Sequence, residues 1–124
     1  DDMRASGIEP VVIADSPNPP TTVPDCVAER SHHVSECAAP QYDRDDRAVA
    51  DAIRSVTTAE GVGFVEPGEW VCADDARCPA IIGDILVYRD GNHLSETAAA
   101  WLSPLFEQVV APWVRDWSAY TLTR

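Results

Sequence analysis

The chain has 124 residues and a mass of 13.5 kDa, enough for one domain with a real core, and its 45% hydrophobic content is that of a globular protein. Its 21 acidic residues against nine basic ones, all Arg, give a formal charge of −12, a surface that repels nucleic acid and anionic lipid headgroups and argues against both as partners. No apolar run approaches the roughly 20 residues that span a bilayer, so no direct membrane span is expected. The opening Asp-Asp-Met-Arg is neither an initiating Met nor a signal peptide, and the chain reads as a processed or excised piece.

In chain order, Pro10-Val-Val-Ile-Ala-Asp15 is a short β-branched run closed by Ser-Pro-Asn-Pro-Pro. It reads as a buried strand, apolar on both faces, of the kind found in a parallel sheet covered by helices. The loop from Ser16 to Asp25 is proline-rich and stiff. Residues 26–37 read as a short helical turn or loop closed by cysteines.

From Asp43 to Glu60 the pattern is helical, with Val49, Ile53 and Val56 at i, i+4 and i+7 as the expected buried stripe. Asp43, Asp45 or Asp46 can cap its start and Gly61 can end it. Val62 to Glu66 is a second strand closed by Pro67-Gly68, and residues 70–79 form a loop tied by the later cysteines. Ile81 to Tyr88 is rich in strand formers but interrupted at Gly83-Asp84, so it reads as a turn followed by a short strand. Leu94 to Trp113 carries an amphipathic helical pattern, with Trp101, Phe106 and Trp113 expected in the core, Pro104 expected to kink or divide it and Pro112 to end it. The order strand, loop, helix, strand, loop, strand, helix predicts βαβ units and a parallel α/β sheet. About three strands are visible where sheets average about five or six, so part of the sheet lies outside these residues.

Four cysteines form two local pairs, Cys26 with Cys37 and Cys72 with Cys78, each closing a short loop. Two disulfides are expected, and with them an oxidising, extracytoplasmic compartment. The competing reading is a zinc site of Cys26, His32, His33 and Cys37, a spacing that fits no common finger.

The segment Asp90-Gly-Asn-His93 falls between the last strand-like run and the long helix. In α/β sheets ligands and catalytic groups gather beyond the carboxyl ends of strands. A carboxylate three residues from a histidine can hold the imidazole in one tautomer, so that its other nitrogen serves a serine as general base. Asp-Gly-Asn is equally common turn chemistry, and Asp-x-x-His alone is a weak motif.

The stretches Val12-Ile-Ala-Asp-Ser-Pro17, Pro24-Asp-Cys26, Trp70-Val-Cys72, Cys78-Pro79, Ile82-Gly83 and above all Val87-Tyr-Arg-Asp-Gly-Asn-His-Leu-Ser95 narrow the reading. Together with Cys37, they resemble the carboxyl-terminal half of an SGNH-hydrolase domain, most of all those fused behind the membrane-embedded domain of acyltransferase-3 family proteins in actinobacteria. The likeness runs from about Val11 to Val110 and is most specific around Asp90 and His93. It implies a flavodoxin-like, three-layer α/β domain with a parallel sheet, of which residues 1–124 would be a single partial domain. In the family the motif's Asp and His complete a Ser-His-Asp triad, which carries over to Asp90 and His93 alone.

The family's Gly-Asp-Ser nucleophile segment has no counterpart here: Ser6-Gly7 is not one, and Ser16 in Ala-Asp-Ser-Pro matches a different position. The resemblance therefore implies an O-acyltransferase or esterase acting on acylated cell-envelope glycans, O-acetylated ones included, with its serine outside these residues and no metal or organic cofactor. Its partners would be an acyl donor, a glycan hydroxyl acceptor and the missing amino-terminal half or the membrane acyltransferase domain. The alternative is a non-catalytic, disulfide-stapled glycan- or protein-binding module with a degenerate SGNH fold.

The remaining polar and aromatic features read more plainly. Asp74-Asp75 and the acidic residues 43–46 match no calcium loop and are expected to be solvated. Trp70 and Trp117 are chemically able to stack on sugar rings.

Overall fold

The computed structural model describes residues 2–40, 44–73 and 76–113. A short helix α1 (Asp2–Ala5) precedes β1 (Val11–Ile13). Helix α2 (Val23–Glu29) and a 3-10 turn (Val34–Cys37) follow, then β2 (Ala39–Pro40), α3 (Arg44–Ala59), β3 (Gly63–Val65) and α4 (Gly68–Val71). The chain continues through β4 (Arg77–Cys78), β5 (Ile81–Ile82), β6 (Ile85–Leu86), α5 (Glu96–Val110) and a terminal 3-10 turn (Ala111–Trp113).

The β1–α3–β3 passage is the parallel unit the sequence predicts, with Val11, Val12 and Ile13 opposite Gly63, Phe64 and Val65. Among the described residues β1 pairs with β3 alone. The third expected parallel strand is instead an antiparallel hairpin, in which Ile81 and Ile82 pair with Leu86 and Ile85. Its cause is local: Gly83 takes a positive φ of 58° and starts a two-residue turn, which reverses the chain where a parallel strand would have to continue. A third ladder is antiparallel, with Ala39 opposite Cys78 and Pro40 opposite Arg77.

The core lies beside the parallel pair rather than around it. Val23, Cys37, Val71, Ala80, Val87, Tyr88 and Leu102 form one buried cluster joining α2, α4, the hairpin and α5. Both cysteine pairs are disulfides, Cys26–Cys37 and Cys72–Cys78, with Cα atoms 5.8 and 4.0 Å apart. The first bridge takes both sulfurs away from the zinc reading, and it fastens α2 to the 3-10 turn at the edge of the core.

Helix α3 forms where the periodicity places it, and Gly61, at φ 63°, ends it in the left-handed conformation that glycine adopts at least cost. Its buried face is a correction. Val49, Ile53 and Val56 are 58, 37 and 63% exposed, while Ala50 and Thr57 face inward. The helix carries two stripes of identical spacing, Val49-Ile53-Val56 and Ala50-Arg54-Thr57, one residue and so about 100° apart. The inward face carries the small Ala50 and Thr57, with the half-exposed Arg54 at its rim, and its polar groups are satisfied locally. Thr57 Oγ1 donates to the carbonyls of Ile53 at 2.9 Å and Arg54 at 3.0 Å, and the Arg54 guanidinium lies 4.8 Å from the Phe64 ring centroid while pairing with the buried carboxylate of Glu66. On β1, Ile13 is half exposed, so the expectation of a strand buried on both faces fails there too.

Of the proposed caps of α3, Asp43 lies outside the described residues, and Asp46 accepts a hydrogen bond from Asn18 at 3.4 Å. Helix α5 runs unbroken through Pro104, because Ala100, whose carbonyl the proline leaves unpaired, is exposed to water. Trp101 and Leu105 on that helix are exposed and not core, whereas Phe106 and Trp113 are half-buried. Trp70 packs half-buried against the core. Trp117, Asp74 and Asp75 lie outside the described residues. None of the described helices is long and apolar enough to cross a membrane.

Candidate active site

Residues 87–95 form a tight loop seated on the core. Val87 and Tyr88 are buried, Val87 N–H donates to the Ala80 carbonyl at 2.9 Å, and Tyr88 bridges Leu94. Arg89 N–H donates to the His93 carbonyl at 2.9 Å and closes the turn. Beyond it, Ser95 caps α5: its Oγ accepts from Ala98 N–H at 3.1 Å and donates to the Leu86 carbonyl at 2.6 Å, while its own N–H donates to the Val87 carbonyl at 2.8 Å. The helix start and the end of the hairpin are thereby locked to each other through one serine.

Within this turn the structure brings Asp90 and His93 together. Asp90 Oδ1 accepts the N–H groups of Asn92 at 2.9 Å and His93 at 2.8 Å, an Asx-type turn. The imidazole Nδ1 of His93 lies 2.9 Å from Oδ2 and 3.1 Å from Oδ1 of the same carboxylate. Arg89 Nε is 3.6 Å from Oδ2. The backbone hydrogen bonds from Asn92 and then His93, followed by the imidazole, hold the Asp90 carboxyl down at about 2. Asp90 is therefore an anion at any physiological pH, and an anion beside Nδ1 selects the tautomer with its proton there. The Nε2 lone pair is then the available base, on a side chain 59% exposed.

The turn is also held from outside. Val23 N–H, at the start of α2, donates to the Asp90 carbonyl at 3.3 Å, and Ser16 Oγ donates to the Asn92 carbonyl. Both donors belong to the proline-rich segment that follows β1, so the turn sits at the carboxyl end of that strand. Beside it an open groove of about 150 Å³ runs between the end of β1 and α3, with Ala14, Ser16, Val49, Ala50 and Ile53 among its walls.

The sequence pairs Asp90 with His93, but of the three supports of the pair it signals only one. Ser95 was legible as a cap, being the serine just before an apolar helical run. Ser16 and the Val23 amide were not, because each meets the turn only through the tertiary fold. Among the described residues no group of three or more His, Cys, Asp or Glu is placed to hold a metal ion.

These features define an α/β domain that presents an oriented carboxylate–imidazole pair on a loop between its hairpin and its last long helix. The family model for the SGNH domain (fused to AT3 domains) matches residues 1–108, and the chain belongs to that family. Membership associates it with acyltransferase- and esterase-related domains that are joined to AT3 domains. No curated protein and no solved structure matches the chain.

Proposed function

We propose that the chain is the carboxyl-terminal part of an extracytoplasmic SGNH domain that transfers or hydrolyses O-acyl groups by a Ser-His-Asp mechanism. The observation that carries this reading is the Asp90 carboxylate at 2.9 Å from His93 Nδ1, which leaves Nε2 as the base. A serine from outside these residues attacks the acyl carbonyl and Nε2 takes its proton. The bond to the donor oxygen then breaks, and that oxygen receives the proton from the imidazolium. A hydroxyl of a cell-envelope glycan, or water, repeats the sequence on the acyl-serine and restores the enzyme. The two disulfides support an oxidising compartment, and the family's fusion to AT3 domains supports a membrane acyltransferase domain as the supplier of acyl groups.

The exposed stripe Val49-Ile53-Val56, the half-exposed Ile13 and the second edge of β1 favour a further part of the same domain packed on this side. We assign the serine to that part, since no Gly-Asp-Ser segment occurs in the 124 residues.

The test is labelling of the longer protein containing this chain with a serine-reactive fluorophosphonate. One adduct per molecule, slowed by roughly 10³-fold or more in His93→Gln, is expected. No adduct in the longer protein, or one indifferent to His93, would overturn the enzymatic reading in favour of a glycan- or protein-binding module.

A further inference from the structure

The Asn92 carbonyl and the His93 N–H are two ends of one planar peptide unit. Its N–H end donates to Asp90 Oδ1 at 2.8 Å, and its C=O end accepts the hydroxyl of Ser16, 76 residues away in sequence. We propose that Ser16 is a positioning residue: by gripping the carbonyl of this peptide it sets the plane whose amide holds the Asp90 carboxylate, and through that carboxylate the ring of His93. The catalytic meaning of this role rests on the triad reading above; the positioning itself does not.

The anchor is built to be stiff. Ser16 precedes Pro17, which confines its backbone to extended conformations, and the Pro17 side chain is fully buried. The Ser16 N–H is tied to Asp15 Oδ1 at 2.8 Å. Among the described residues the turn it grips has one other hold from outside, the Val23 amide on the Asp90 carbonyl, and Asp90, Asn92 and His93 lie at the surface. A hydrogen bond accepted at a carbonyl also polarises the same peptide's N–H and strengthens the bond that N–H donates. Loss of the Ser16 hydroxyl therefore both frees the peptide plane to rotate and weakens the donor that stabilises the Asp90 anion.

The Asp90 carboxyl reports on this directly. Its low titration point depends first on the Asn92 and His93 amides, so any rotation of their peptides raises it. Arg89 and His93 are the other charged or titratable groups at the carboxylate, with Asp15 next to Ser16, and all are untouched by substitution at position 16.

The experiment is carbon-13 NMR titration of the Asp90 carboxyl, with nitrogen-15 shifts of the His93 ring, in the chain and in Ser16→Thr, Ser16→Val and Ser16→Ala. Thr and Val have the same shape and differ in the hydroxyl, so they decide the matter even where the Ala variant is poorly folded. We expect the Thr variant to titrate like the unmodified chain. In the Val and Ala variants Asp90 should titrate ~1 pH unit higher, a tenfold loss of preference for the anion, with the His93 ring moving toward a mixture of tautomers. A Val variant that melts at a lower temperature while Asp90 and His93 report unchanged would overturn the proposal and leave Ser16 a structural tether. Neither readout involves turnover, so an absent serine-ester activity would count against the function proposed above without altering this outcome.

Discussion

The indole of Trp113 lies against Gly63, close enough that a Cβ built on the glycine would stand 2.7 Å from ring atom Cδ2. Gly63 is buried in β3 and Trp113 closes the 3-10 turn after α5, so this contact ties the end of the last helix to the parallel strand pair. Gly63→Ala puts a carbon well inside van der Waals contact distance of the ring, and the ring or the strand must shift. We expect a loss of about 1–3 kcal/mol in urea unfolding. Gly91→Ala, where a Cβ meets nothing within 4 Å, should cost far less by the same measurement.

Asp90 gives the loop an acid limit. Its folded carboxyl titrates at about 2, below the ordinary 3.8, so the unfolded chain takes up the proton first as pH falls. The contribution of the turn is then fully present above about pH 4 and is lost as pH falls toward about 2. Thermal melts of Asp90→Asn between pH 5 and 2 should lack this component, and a mutant that matches the unmodified slope throughout would show that the turn does not stabilise the folded state.

Tyr88 has the opposite problem. It is fully buried, its hydroxyl has no hydrogen-bond partner among the described residues, and burial pushes it up to about 12 from 10.0. Removing an unsatisfied buried hydroxyl relieves a desolvation cost, so Tyr88→Phe should be neutral or stabilising by about 1 kcal/mol in urea unfolding. The raised value also means stability present below about pH 10 and declining above it, since the unfolded phenol ionises first. That decline should be smaller in Tyr88→Phe.

The disulfides close loops of 11 and 6 residues in separation. By loop-closure entropy they contribute about 3 and about 2 kcal/mol. Peptide mapping without reductant should recover Cys26 with Cys37 and Cys72 with Cys78, and Cys26→Ser/Cys37→Ser should show the larger drop in denaturant midpoint. A scrambled map would contradict the packing described here, because Cys37 and Cys78 are both buried.

Much of the local structure was present in the sequence by itself. The helices around residues 44–59 and 96–110, the strands at 11–13 and 63–65, both cysteine pairs and the proximity of Asp90 to His93 all follow from spacing over a few residues, where backbone geometry leaves few choices. Turn chemistry at Gly83-Asp84 was also in the sequence, yet whether the chain after it ran on in parallel or folded back depended on what it paired with. Only the tertiary structure decided which of the two equal-period stripes of α3 turned inward, because periodicity defines a face and not its partner. Only the tertiary structure, likewise, set Ser16 beneath the turn that holds Asp90 and His93. That contact joins residues far apart in the chain, and a hydrogen bond between a hydroxyl and a backbone carbonyl leaves no pattern in sequence by which to find it.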